Sequence, residues 1–464
     1  MIRLTSVYDS HLHVLGIGIQ QRIADCSEFA TLAELSSYSN DNPKIIVSRG
    51  WHESQFIEKR TPTKFDLNHI SKSMPVILIR TCGHVLVCND KAMELAGITS
   101  DTPQIEGGSF DYKTGIFTED AMDLIMKIVP PPSKEELKEM FISANNYLLS
   151  QGITSVGSDD FSIKNVHYED IIEVLEELYH EGLMQIHLYE QVNLPSIKLQ
   201  QDFLNKGYHK KTYNGFKMGP LKLLADGSMG GRTAYLNKDY SDDPGNKGIQ
   251  VFKQSELEDL IYLADSNGMD VAIHAIGDGM IDLVLDAIEK SIRRTKRNHR
   301  HSIIHAQLAT KQQIQRMKQL GVAAIVQPIF LNSDIGIVHE RLGDRANESY
   351  LFKTMYKEGV HVAFSTDAPV EPVNPFYNLY TAITRTSIKQ PELGEFLPEE
   401  KFTLDEALEC YQNSYYMSYD EHKNYNDYII VDRDIHNCTV EELKDTVVLE
   451  TYIDGKLVYK RDKK

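Results

Sequence analysis

The pair His11-Leu12-His13 closes the strand-like run LTSVYDS, and the period-2 alternation of a strand turns both imidazoles to one face. Two such imidazoles can hold a divalent cation when further neutral imidazoles or carboxylates converge on them from other elements. Candidates stand at the ends of other strand-like runs: His274 closes VAIH, His305 closes SIIH, and Asp367 follows AFST. Any one alone reads as a core histidine bonded to a carbonyl or as a capping aspartate. Four imidazoles and a carboxylate on one rim are costly to bury without a cation to hold them, so jointly they point to a metal. The spacing is not sufficient by itself. His299-Arg300-His301 repeats it inside the basic run 293–301, where cationic repulsion opposes a divalent ion, so this second pair reads as a decoy in a solvated connector.

A rim needs strands to build it. From about residue 150, short β-branched runs alternate with amphipathic helical stretches, the rhythm of a parallel sheet with helical crossovers. Strands are predicted at 153–157, 184–190, 220–225, 269–274, 302–305, 322–327 and 361–366, with an eighth at 4–9. Helices are predicted at 167–181, 254–266 and 280–290, the last with Ile281, Val284, Leu285 and Ile288 on one face. Eight strand–helix units without a Gly-rich phosphate loop fit a closed α/β barrel of the TIM type, whose sites lie at the C-terminal ends of the strands. The predicted domains are a barrel over 1–425, interrupted by an insertion at about 15–150, and a small module over 426–464. The insertion has strand-like runs at 44–48 and 75–80 and a helix at 133–150, and is expected to cap the site. In the C-terminal module Asp454-Gly455 marks a turn between two strands.

The 464 residues carry a formal charge of −18, which argues against a nucleic-acid groove or an anionic membrane as partner. A small-molecule substrate is expected, with a homodimer left open. Five scattered cysteines without a CxxC pair fit a reducing, cytoplasmic compartment, and the opening MIRLTS carries no signal-peptide pattern.

Alternation in LKLLAD puts Lys222, Leu224 and Asp226 on one face, and an inward-facing lysine must pair with a carboxylate, Asp226 or another, or lose its charge. The segments DSHLH (9–13), LKLLADGSMGGRTAYL (221–236), VAIHAIGD (271–278), IIHAQLA (303–309) and STDAPVEPVNPF (365–376) resemble the metal-dependent amidohydrolase superfamily. GWHESQF (50–56) and RTCGHVLVCNDKAMELAGI (80–98) are similar to the branch that includes N-substituted formamide deformylases, with His52 where that branch has an acidic residue. The resemblance runs in order over nearly the whole chain. It implies one or two divalent metals, zinc first, held by His11, His13, a carbamylated Lys222, His274 and His305, with Asp367 as ligand and proton shuttle. It also implies roles toward substrate for His84 and Arg232, His84 as stabiliser of the developing oxyanion. Relatives carry a longer leader that helps build a β-sandwich with the C-terminal strands; only ten residues precede His11, so an incomplete sandwich is expected. The implied activity is hydrolysis of a non-peptide C–N bond, an amide or N-formyl group, by a metal-activated hydroxide. The alternatives are an ester, lactone or cyclic imide at the same site, or a non-catalytic metal-binding protein.

Overall fold

Runs such as VAIHA, SIIH and AAIV are apolar on both faces, so they are stable as strands only with other structure on each side. The structure, a computed structural model, describes residues 2–22, 24–26, 29–34, 44–53, 55–163, 166–414 and 426–462. In chain order its strands are β1 (Ile2–Thr5), β2 (Val7–Leu12), β3 (Ala24–Asp25), β4 (Ile46–Trp51), β5 (Val76–Arg80), β6 (Val85–Cys88), β7 (Gly108–Asp111), β8 (Ile116–Glu119), β9 (Ile153–Ser158), β10 (His187–Asn193), β11 (Phe216–Leu224), β12 (Val271–Ala275), β13 (Ser302–His305), β14 (Ala323–Val326), β15 (Val362–Phe364), β16 (Tyr428–Val431), β17 (Val448–Ile453) and β18 (Lys456–Lys460).

Eight of these, β2 and β9 to β15, form one parallel sheet in sequence order. Its two ends meet: Thr366 donates from N and Oγ1 to the Asp9 carboxylate, and Asp367 N donates to His11 O at 2.9 Å. With helices such as Tyr168–His180, Gln254–Ser266 and Asp278–Thr295 between the strands, this is the expected TIM-like (β/α)8 barrel. Ala272, Ile304, Ala323, Ile325 and Ala363 fill its centre, small and branched side chains together. None of the described helices is long and apolar enough to cross a membrane.

Two strand readings shift. The run 4–9 is two strands rather than one: the chain breaks at Ser6, whose N donates to Asp427 O, and β1 leaves the barrel to pair antiparallel with β16, Ile2 opposite Val431. The strand expected at 184–190 starts at His187 and runs on to Asn193, so the polar Gln191 and Asn193 lie inside it.

The insertion carries its own six-stranded sheet, in the order β3-β4-β5-β6-β8-β7, with apolar clusters around Phe117 and around Trp51. Its last helix, Lys134–Ser150, starts with Ser133 and Glu136 capping each other's backbone. The C-terminal strands make one antiparallel sheet, β1-β16-β17-β18, turned at Asp454-Gly455 and tied to the insertion's last helix by Thr451 Oγ1 on Leu149 O at 2.7 Å. The boundary expected at residue 425 lies outside the described residues.

Candidate metal centre

The C-terminal mouth of the barrel gathers His11, His13, His305 and Asp367. Asp367 Oδ1 stands 3.2 Å from His11 Nε2 and 3.2 Å from His13 Nε2. His11, His305 and Asp367 each offer a ligand atom within 4.8 Å of the others, and the His274 ring lies 4.4 Å from that of His305. Strict alternation would not bring His305 here. It pairs with Ala275 across the sheet, while its neighbour Ile304 is the residue that fills the barrel, so His305 would point outward. A φ of +77° at His305, followed by +47° at Ala306, turns the ring back into the mouth; Asp367 is likewise left-handed at +57°. Such positions cost about 1–3 kcal/mol each for a residue with a side chain, and they cluster at functional sites.

Three acceptors fix the tautomers. Gln191 Nε2 donates to Ser10 O at 2.9 Å, which leaves Oε1 to accept from His11 Nδ1 at 2.6 Å. Gln327 Nε2 donates to Ser365 Oγ at 2.7 Å, and its Oε1 accepts from His305 Nδ1 at 2.8 Å. His13 Nδ1 donates to Asp159 O at 2.8 Å. In all three rings Nε2 keeps its lone pair and faces the mouth, the form a cation requires. His274 differs: its Nε2 donates to Gly227 O at 3.1 Å, so the lone pair sits on Nδ1.

Burial pushes His11 down to about 4 and, with the neighbouring His274, holds His305 well below the ordinary imidazole value, so both are neutral at pH 7. Burial opposes ionisation of Asp367, but the imidazoles of His11, His13 and His305 gathered around it hold it well below the usual carboxylate range. Burial pushes His13 down as well, yet the Asp367 carboxylate raises it overall, so this edge of the cluster attracts positive charge. The donors fit a divalent metal. His11 Nε2 and Asp367 Oδ1 are buried with no hydrogen bond to satisfy them, at a cost of about 1–3 kcal/mol for each orphaned group, and a cation between them offsets it.

Lys222 is fully buried and pairs with Asp159, Nζ to Oδ2 at 3.4 Å, rather than with Asp226. Asp226 is taken up by the backbone N–H groups of Tyr235, Ile276 and Gly277. His84 reaches in from the insertion: its ring is 5.1 Å from that of His274, and its Nδ1 is 2.7 Å from Glu119 Oε2. Burial disfavours its charge, but Glu119 more than compensates and raises it to about 9, so His84 is a cation at neutral pH. Arg232 is not brought to the cluster. It is spent on Asp242 at 2.6 Å, in a network that continues through Arg341 to Glu53. Next to His52 stands Glu53, bidentate on Arg80 at 3.0 and 3.2 Å.

The decoy pair lies at the other end of β13, where His301 is separated from His305 by about 13 Å of extended strand. It is not a solvated connector, however. His301 is fully buried between Asp265 and Asp270, and Arg297 bridges the same two acids at 2.5 and 2.6 Å. Two buried carboxylates draw Arg297 and His301 inward, while Arg293, Arg294 and Lys296 stay exposed as a solvated run would.

Gln191, Gln327, Asp159 and Glu119 escaped the sequence reading. Gln327 carried a usable signal, since it continues the inward face of Ala323 and Ile325 past the end of β14. Glu119 follows from no local pattern; its left-handed backbone, φ +49°, is visible only in the fold.

Residues 7–459 match the amidohydrolase family. YtcJ of Bacillus subtilis (strain 168) is 30% identical over 98% of this chain and 88% of its own length. The N-substituted formamide deformylase of Arthrobacter pascens is 26% identical, covering 98% of this chain and 87% of that protein. An uncharacterized metal-dependent hydrolase from Pyrococcus horikoshii OT3 superposes with a TM-score of 0.74 at 30% identity, over 95% of this chain and 87% of that one.

Proposed function

The chain belongs to the amidohydrolase family and is a metal-dependent hydrolase, and from that premise we propose that it cuts a non-peptide C–N bond, an amide or N-formyl group of a small molecule. The observation that carries the reading is Asp367 Oδ1 at 3.2 Å from both His11 Nε2 and His13 Nε2, an ionised carboxylate in the mouth of the barrel among neutral imidazoles. The deformylase relative supports the N-formyl choice.

A divalent ion, zinc in our reading, would be held by His11, His13, His305 and Asp367, with His274 beside them; when bound it supplies Lewis acidity toward a carbonyl oxygen and acidifies a water. Asp367 accepts the proton of the attacking water and returns it to the departing amine, which is too basic to leave unprotonated. His84, charged and with Nδ1 anchored on Glu119, offers its Nε2–H to the carbonyl oxygen as charge develops there. Lys222 would add carbon dioxide through its neutral Nζ, releasing protons and becoming an anionic carbamate that would hold a second ion; its full burial beside Asp159 supports this, since two buried anions there would need a cation to hold them.

The test is metal analysis of the purified protein together with a panel of N-formyl and N-acyl amines beside matched esters and lactones. Metal-dependent turnover of the amides is expected. Turnover confined to esters or lactones would replace the C–N assignment while keeping the site.

A further inference from the structure

A cavity borders the metal centre on the side of the insertion. Its near wall is formed by Cys82, two residues before His84, by Ile276, two after His274, and by Phe330, whose ring stacks on His305 at 5.7 Å. The cavity is also lined by the charged side chains Arg80, Asp334 and Glu371. A substrate with its scissile carbonyl among the imidazoles would extend into this space, so the balance of these charges bears on what its other end can be.

Two of the three charges are already answered. Arg80 is held by both oxygens of Glu53. Glu371 accepts from Ser333 Oγ and from Lys389 Nζ at 3.4 Å. Asp334 is answered only in part: Arg80, itself held by Glu53 and beyond ion-pair distance, favours its charge, but among the described residues the carboxylate has no ion pair. Its Oδ2 accepts from Tyr350 Oη and from Gln307 Nε2 at 3.1 Å, both neutral donors, and among the described residues its Oδ1 has no donor. Burial pushes it up to about 6, which still leaves it an anion at pH 7 to 8. An unpaired carboxylate on a cavity wall is destabilising unless something that enters the cavity neutralises it.

We propose that this cavity is the subsite for the non-reacting end of the substrate, where Asp334 Oδ1 accepts a hydrogen bond from a cationic nitrogen, so that the preferred substrates are amides bearing a second, protonated amino group. The proposal rests on the C–N reading above for the reaction, but the recognition it describes can be measured without turnover.

The probes are N-formyl-1,4-diaminobutane and N-formylbutylamine, nearly matched in length and different in charge, titrated calorimetrically into the metal-loaded protein and assayed as substrates. The charged compound should bind about ten- to a hundred-fold more tightly, the range expected for a hydrogen bond to a charged group. Asp334→Asn should bring the ratio toward one, and Asp334→Glu should retain part of it. A ratio of one in the unaltered protein, no binding of the charged compound at millimolar concentration, or a ratio unchanged in Asp334→Asn would each overturn the subsite. The first two need no variant, so a folding defect in either substitution leaves the test intact. Asp334-dependent binding without hydrolysis would count against the C–N assignment and for the subsite; hydrolysis without charge preference would do the reverse.

Discussion

Gln327 decides which nitrogen of His305 carries the proton: its Oε1 accepts from Nδ1 at 2.8 Å, and because its Nε2 is committed to Ser365 Oγ at 2.7 Å the amide cannot flip without losing both bonds. Gln191 does the same for His11.

Gln327→Leu should therefore lower metal affinity by about 10- to 100-fold, the range found when the outer partner of a ligating imidazole is removed. Gln327→Glu, which keeps an acceptor oxygen, should lose less. Competition against a chelator of known affinity reads the effect directly, and equal affinity in the Leu variant would contradict it.

Asp367→Asn keeps the shape of the side chain and a possible ligand oxygen but removes the base. Metal content should fall modestly while turnover of any substrate found by screening falls by about 10² or more. Near-normal turnover would leave Asp367 as a ligand only and move the proton-accepting role elsewhere.

Lys222 is tested by counting metal ions in protein stripped and reloaded with and without bicarbonate. A second ion bound only in its presence is the expected result. One ion under both conditions would leave Lys222 as the plain partner of Asp159, with a single-metal site.

The His84–Glu119 pair should make the stability of metal-stripped protein depend on pH. The folded-state pKa of His84 is raised, from an ordinary 6.5 to about 9, so the contribution of the pair is fully present below pH 6.5 and is lost as pH rises through about 9. The difference in melting temperature between the unaltered protein and Glu119→Gln should shrink across that window. A difference that grew with pH would reverse the assignment of charge.

His301→Ala should leave metal content unchanged but destabilise the fold by about 1–3 kcal/mol, since it strips a buried partner from Asp265 and Asp270. Denaturant unfolding and metal analysis of the same preparation check both halves.

The barrel was legible because its strands are short, apolar on both faces and spaced by amphipathic helices, all of which are local properties. The break at Ser6 was not. LTSVYD holds no Gly or Pro to mark a break, and the reason it divides, the pairing of Ile2–Thr5 with Tyr428–Val431, lies at the far end of the sequence. In the mouth, histidines at strand ends could be picked out by type and position. Of their orienting glutamines, Gln327 could be placed by the inward face of β14 but not given a role, Gln191 lay beyond the strand expected at 184–190, and His305 arrives by a backbone turn that the alternation rule opposes. The run around His301 misled because its basic charge is visible locally while the acids that bury it, Asp265 and Asp270, sit about thirty residues upstream.

Residues 2–12 are divided between two sheets, and both complete themselves late. Val7–Leu12 lies between β9 and the end of β15, and Ile2–Thr5 waits for β16. On the ribosome, His11 and His13 emerge more than three hundred residues before the carboxylate they face, Asp367. Such sequence-distant contacts slow assembly and leave the early segment unpaired while the rest is synthesised. Metal loading is thus a property of the finished chain: a nascent or prematurely ended product would display the histidine pair without the group that completes it.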